Sequence, residues 1–101
     1  MAKRQQLQSE LETLLGSRNV YYQSPTSGIM GYPAIRYEKA DIDTRYANNK
    51  KYINKTLYNI TVIDRVPDNP VIEKILELPY SSYDRPYTAN NLNHDVIKLY
   101  Y

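Results

Sequence analysis

An α+β domain, with a mostly antiparallel sheet of about five strands packed against two helices in the order α-β-β-β-α-β-β, is what this 101-residue sequence predicts. Three observations carry that expectation. A leucine stripe of helical spacing opens the chain, later stretches alternate with period two or are rich in β-branched and aromatic residues, and a second apolar stripe between prolines interrupts them. Hairpin-like strand pairs, and helices that each need to bury one face, are satisfied together by laying the helices on a sheet. At this length a single domain over residues 1–101 is expected.

The elements follow in order. Leu7, Leu11, Leu14 and Leu15 stand at i, i+4, i+7 and i+8, one stripe of a helix whose other faces are polar, and Gly16 supplies its stop. Residues 19–23 read as a short strand, followed by loop chemistry over 24–28. Residues 33–42 alternate, with Ile35 and Tyr37 set against Ala34, Arg36 and Glu38, as a second strand with one buried face. The polar run 43–52 reads as a long loop. The third strand, residues 55–66, carries Tyr58, Ile60 and Val62 on one face and Leu57, Asn59, Thr61 and Ile63 on the other. Apolar groups on both faces imply a central position or a face covered by another subunit. Asp68 or Asn69 then caps a helix of about nine residues, with Pro70 in its first turn and Val71, Ile72, Ile75 and Leu76 as its buried stripe, ending before Pro79. Two last strands, near 80–88 and 94–101, are joined by the turn-rich stretch 89–93.

All twelve aromatic residues are tyrosines, and the chain has no phenylalanine, tryptophan or cysteine. A tyrosine ring is apolar but its hydroxyl needs a partner, so the set favours half-wet contact surfaces over a dry core. Tyr37 and Tyr58 fall in register with core positions, Tyr46 and Tyr52 in the polar run, and Tyr100 and Tyr101 on opposite faces of the last strand. The absence of cysteine excludes disulfides, thiolate metal sites and thiol catalysis. A net charge of +2 with both signs interspersed argues against a dedicated polyanion binder. No stretch approaches the ~18 consecutive apolar residues of a membrane span, and no apolar run follows the first residues, so a soluble, unexported chain with no membrane partner is expected.

Catalytic signals are weak. His94 and Asp95 are adjacent in a strand and so point to opposite faces, and Ser81 and Ser82 lack a nucleophile elbow. Asp41-Ile42-Asp43 begins like a calcium loop, but Lys50 and Tyr52 stand where further oxygen ligands are needed. The expectation is therefore no enzyme, no cofactor and no metal. Arg45, Tyr46, Lys50, Lys51 and Tyr52 interleave basic and aromatic residues in a way that suits contact with a protein partner or, alternatively, with single-stranded nucleic acid. The acid-base dipeptides Asp64-Arg65 and Asp84-Arg85 are either solvated surface or alternating charge that fixes register between neighbours in an assembly.

Four stretches carry a resemblance: Tyr32-Pro33-Ala34-Ile35 opening a strand, Asp43-Thr44-Arg45-Tyr46-Ala47, the run from Tyr58 to Arg65 before a helix, and the closing part from Tyr83-Asp84-Arg85 to Leu99-Tyr100-Tyr101. Together they resemble the tail completion family of long-tailed bacteriophages, over most of the chain from about Leu7 to Tyr101. That family comprises small α+β tail-terminator and tail-to-head joining proteins. The resemblance implies a structural virion protein, assembled in the host cytoplasm, that forms a ring, usually hexameric, at the head-proximal end of the tail tube. Its implied partners are further copies of itself, the major tail tube protein and a head connector or head-closure protein, with nucleic acid only incidental through a DNA channel. It further implies that residues 43–52 face the tail tube or a neighbouring subunit. Another connector or minor tail component, or a small nucleic-acid-contacting interaction module, is the alternative.

Overall fold

The structure, a computed structural model, describes the backbone of residues 3–23, 31–47 and 50–101, with side chains at 4–23, 31–40 and 56–101. Its element order is α1 (Lys3–Leu15), β1 (Val20–Tyr22), β2 (Ala34–Ala47), β3 (Lys50–Asp64), α2 (Val71–Leu76), β4 (Ser81–Ala89) and β5 (Leu92–Tyr100). The strands form one five-stranded sheet in the order β1-β2-β3-β5-β4. Among the described residues only β1 pairs in parallel, with β2, and the other neighbours are antiparallel. This is the expected α+β class.

Periodicity accounts for the helical layer. Leu7 and Leu11 are fully buried, and Leu14 and Leu15 pack against the same core. Gly16 adopts φ +79°, a conformation costly for other residues, and its N–H closes the last turn on the Glu12 carbonyl at 2.9 Å. The second helix is shorter than its proline boundary implied. Asn69 Oδ1 accepts from the Val71 N–H at 2.9 Å at the start, and Ser81 Oγ donates toward the Leu76 and Leu78 carbonyls at the end. Val71 and Ile75 bury themselves, so the apolar stripe is satisfied in under two turns.

Both helices lie on one face of the sheet. Their leucines, valine and isoleucine meet Val20, Ile35, Tyr37, Tyr58, Ile60, Val62, Ile97 and Leu99 in a single cluster. Register places the other residues of these strands on the opposite face, where Ala34, Thr61, Ile63 and Val96 are themselves buried. β3 is the middle strand of the sheet, which accounts for apolar groups on both its sides without a second subunit. The C-terminal residue is held in place: Tyr101 exchanges backbone hydrogen bonds with Thr56 at 3.0 and 3.3 Å, and its hydroxyl donates to Glu10 on α1 at 3.0 Å.

The expected loop over 43–52 is instead mostly strand. β2 and β3 continue pairing from Asp41↔Leu57 outward to Ala47↔Lys50 as a two-stranded arm. β1 stops at the level of Tyr37, and the chain after β4 reaches only the base of the arm, with Tyr100 opposite Leu57 and Tyr101 bonded to Thr56, so among the described residues no other strand accompanies the arm beyond that point. At the usual strand rise its seven β2 residues, Asp41 to Ala47, extend about 20 Å. The molecule is correspondingly long, 48 Å against 26 and 22 Å, and its radius of gyration of 14.3 Å exceeds the ~13 Å of an equant domain of this size.

Candidate interaction surface

The sequence-predicted contact residues fall in three separate places. Arg45, Tyr46, Lys50, Lys51 and Tyr52 belong to the arm, on extended backbone, with their side chains outside the described residues. A register shift between Arg45 and Tyr46 leaves Tyr52 without a partner position, so the arm carries a β-bulge there. Asp41 and Asp43, weighed as half of a calcium loop, also lie in the arm, with Asp43 opposite Lys55.

Asp64 ends β3 and turns inward to the loop. Its two oxygens accept from the Arg65 N–H at 2.7 Å and from Asn69 Nδ2 at 2.6 Å, which ties the β3 exit to the start of α2. Arg65 is exposed just beyond the strand, and its carbonyl accepts from Asn93 Nδ2 at 3.2 Å. The dipeptides therefore do not form two equivalent strand pairs. Asp84 is the bulged residue of β4 and pairs with its neighbour Arg85 at 2.9 Å, an exposed contact worth little in stability.

A second feature, not legible in the sequence, lies at the opposite end of β3. Residues from three segments line an open groove: Asp68 on the loop before α2, Tyr83, Pro86 and Tyr87 on β4, and Asp95 on β5. Tyr83 donates its hydroxyl to Asp95 at 2.7 Å. That hydrogen bond, with burial and the charges of Asp95 and Asp68, pushes the phenol up to about 12, so it stays a donor at any ordinary pH. Tyr83 and Tyr87 remain 43% and 38% exposed, and Tyr87 stacks on the His94 ring at 4.5 Å. His94 Nδ1 lies 3.1 Å from the Leu92 carbonyl, and its partners differ from those of Asp95, as alternation requires. No single residue type marks this groove in the sequence; it exists only once β4 and β5 are paired and α2 is placed.

The remaining tyrosines serve the interior. Tyr37, fully buried, donates to Gln8 Oε1 at 2.6 Å and lies between Tyr22 and Tyr58, with ring centroids 5.1 and 6.0 Å away. Arg4 stands 4.7 Å above the Tyr22 ring. Burial raises the Tyr37 and Tyr58 phenols, while the Arg4 charge pulls the other way. Among the described residues no group of three or more histidine or carboxylate side chains is arranged to hold a metal, and no helix is long and apolar enough to cross a membrane. The chain matches no protein-family model, no curated protein and no solved structure.

Proposed function

We propose that this protein is a structural subunit of a long-tailed phage particle, a tail completion or terminator protein that forms a ring at the head-proximal end of the tail tube, ends tube growth and joins tail to head. The sequence resemblance to that family supports the reading, and the observation that carries it is the β2–β3 arm. A hairpin paired only with itself is marginal in water, because two strands bury little and both outer edges stay open. An arm of about 20 Å with that character gains most by seating against another protein. Its Arg45, Tyr46 and Tyr52 are of the residue types that dominate protein interfaces.

In this role the protein acts by contact and not by chemistry. A closed ring needs two different surfaces on each copy, one meeting the other across every subunit boundary. The partners are further copies, the tube protein and the head connector. Deleting the gene from the phage genome tests the reading: heads and tails should remain unjoined, or tails should reach uncontrolled lengths. Normal joined virions would sink it. Arg45→Ala and Tyr52→Ala should leave the isolated subunit as stable as wild type yet reduce particle yield, since truncating a residue away from the core rarely costs folding energy.

A further inference from the structure

The arm and the groove lie at opposite ends of the molecule. β3 runs from Lys50 in the arm to Asp64 beside the groove, fifteen residues, which at strand rise span about 46 Å, nearly the full 48 Å long axis. Register fixes the groove at the far end, since Asn93 stands opposite Asp64 and Asp95 opposite Val62. No arm can reach the groove of its own chain.

The two ends are also opposite in charge. Between residues 45 and 52 the arm carries Arg45, Lys50 and Lys51 and no carboxylate; its acids, Asp41 and Asp43, stand at the base. The groove is lined by Asp68 and Asp95 and by no basic residue. Arg85, the cation nearest on β4, is engaged with Asp84. The exposed ring of Tyr83, held beside Asp95 by its hydroxyl, adds a face on which a guanidinium or ammonium group rests favourably, whereas the Tyr87 ring is stacked on His94 on the other face of the sheet. Plain strand addition at the β4 edge is obstructed, because Pro86 lacks an N–H and Asp84 bulges out of the ladder, so a partner there must bind through side chains in the groove.

We infer that the groove between Asp68, Tyr83, Pro86, Tyr87 and Asp95 receives the cationic outer half of the β2–β3 arm from a second copy of this chain. The contact is head to tail, so one copy's arm fills the next copy's groove and leaves its own groove open for a third. It names the subunit boundary within the ring proposed above and rests on that reading.

Charge exchange tests it. Lys50→Glu with Lys51→Glu makes the arm acidic, and Asp68→Asn, Asp95→Asn and Thr88→Lys together make the groove basic; Asn suits the positive φ of 59° at position 68, an amide oxygen at position 95 can still accept from the Tyr83 hydroxyl, and Thr88 is an exposed lining residue. Sedimentation of the purified protein over a range of concentrations should show each variant self-associating at least about tenfold more weakly than wild type. An equimolar mixture of the two variants should recover association, since each arm then finds a groove of opposite sign. Recovery also shows that both variants are folded.

Three results would overturn the inference: a variant that associates like wild type, a mixture no better than its components, or a wild type that stays monomeric throughout. In the first two, with wild type still assembling, the groove contact fails while the ring reading stands. The ring reading itself falls only if virions lacking the gene are normal.

Discussion

Replacing Tyr37 with Phe isolates one hydroxyl. The ring is fully buried, and Phe has the same shape without the oxygen, so no cavity opens and packing against Tyr22 and Tyr58 is retained. What goes is the 2.6 Å bond to Gln8 Oε1. Gln8 also donates to the Val20 carbonyl at 2.9 Å and to Glu12 at 2.9 Å, so this one side chain joins α1 to β1 and β2. A neutral hydrogen bond contributes about 1 kcal/mol net, and its orphaned acceptor adds part of a 1–3 kcal/mol desolvation cost, reduced here because Gln8 is only half-buried. Tyr37→Phe should therefore cost about 1–2 kcal/mol, or roughly 5–10 °C in Tm for a domain of this length. Gln8→Ala should cost more, because it strands the Tyr37 hydroxyl at full burial. Urea unfolding followed by far-ultraviolet circular dichroism measures both, and the double variant gives their coupling. A Tyr37→Phe protein as stable as wild type or more so would refute the idea that this hydroxyl supports the fold.

Further outcomes can be stated briefly. Ile60→Ala, at a fully buried position of the central strand, should lose about 2–5 kcal/mol in the same unfolding measurement, and a loss below about 1 kcal/mol would contradict its placement in the core. Asn91→Val should cost about 1–2 kcal/mol, because Asn90 and Asn91 both take positive φ in the β4–β5 turn and a β-branched residue resists it; Asn91→Gly should be neutral or stabilising. Alkaline pH should destabilise the fold. Burial raises the Tyr37, Tyr58 and Tyr101 phenols above their unfolded value, so their contribution is fully present below about pH 10 and is lost as pH rises from there through the folded values. Urea midpoints that stay flat across this alkaline range would show the reverse, and Tyr37→Phe should flatten the decline.

Much of the body of the fold can be read from residue spacing because burial imposes a period on it. Leu7, Leu11, Leu14 and Leu15 had to share a helix face, and Ile35 with Tyr37 had to share a strand face, since each set meets the same core. The arm has no such constraint. Its backbone groups are satisfied by the partner strand, with no core to select apolar residues at alternate positions, so residues 43–52 resemble a polar loop until the pairing is known. Strand identity there lies in hydrogen bonds, which composition does not record. β1 was legible as a strand from its β-branched and aromatic residues, but its pairing was not, because its three residues pair in parallel with a strand beginning more than ten positions later. Of the contact surface, the arm's residues were visible as a basic-aromatic cluster. The groove was not, because Asp68, Tyr83 and Asp95 converge only through tertiary placement, and Asp64 looked like surface charge while it serves to fasten the β3 exit to α2.

That β3 is at once the middle strand of the sheet and one rail of the arm has a mechanical meaning. A pull along the arm does not peel a strand from an edge, where pairs would open one after another. It drags β3 lengthwise past β5, and the pairs from Leu57↔Tyr100 to Asp64↔Asn93 bear the load together, in shear. The arm is thereby anchored as a tension member, with the deepest strand of the body as its root.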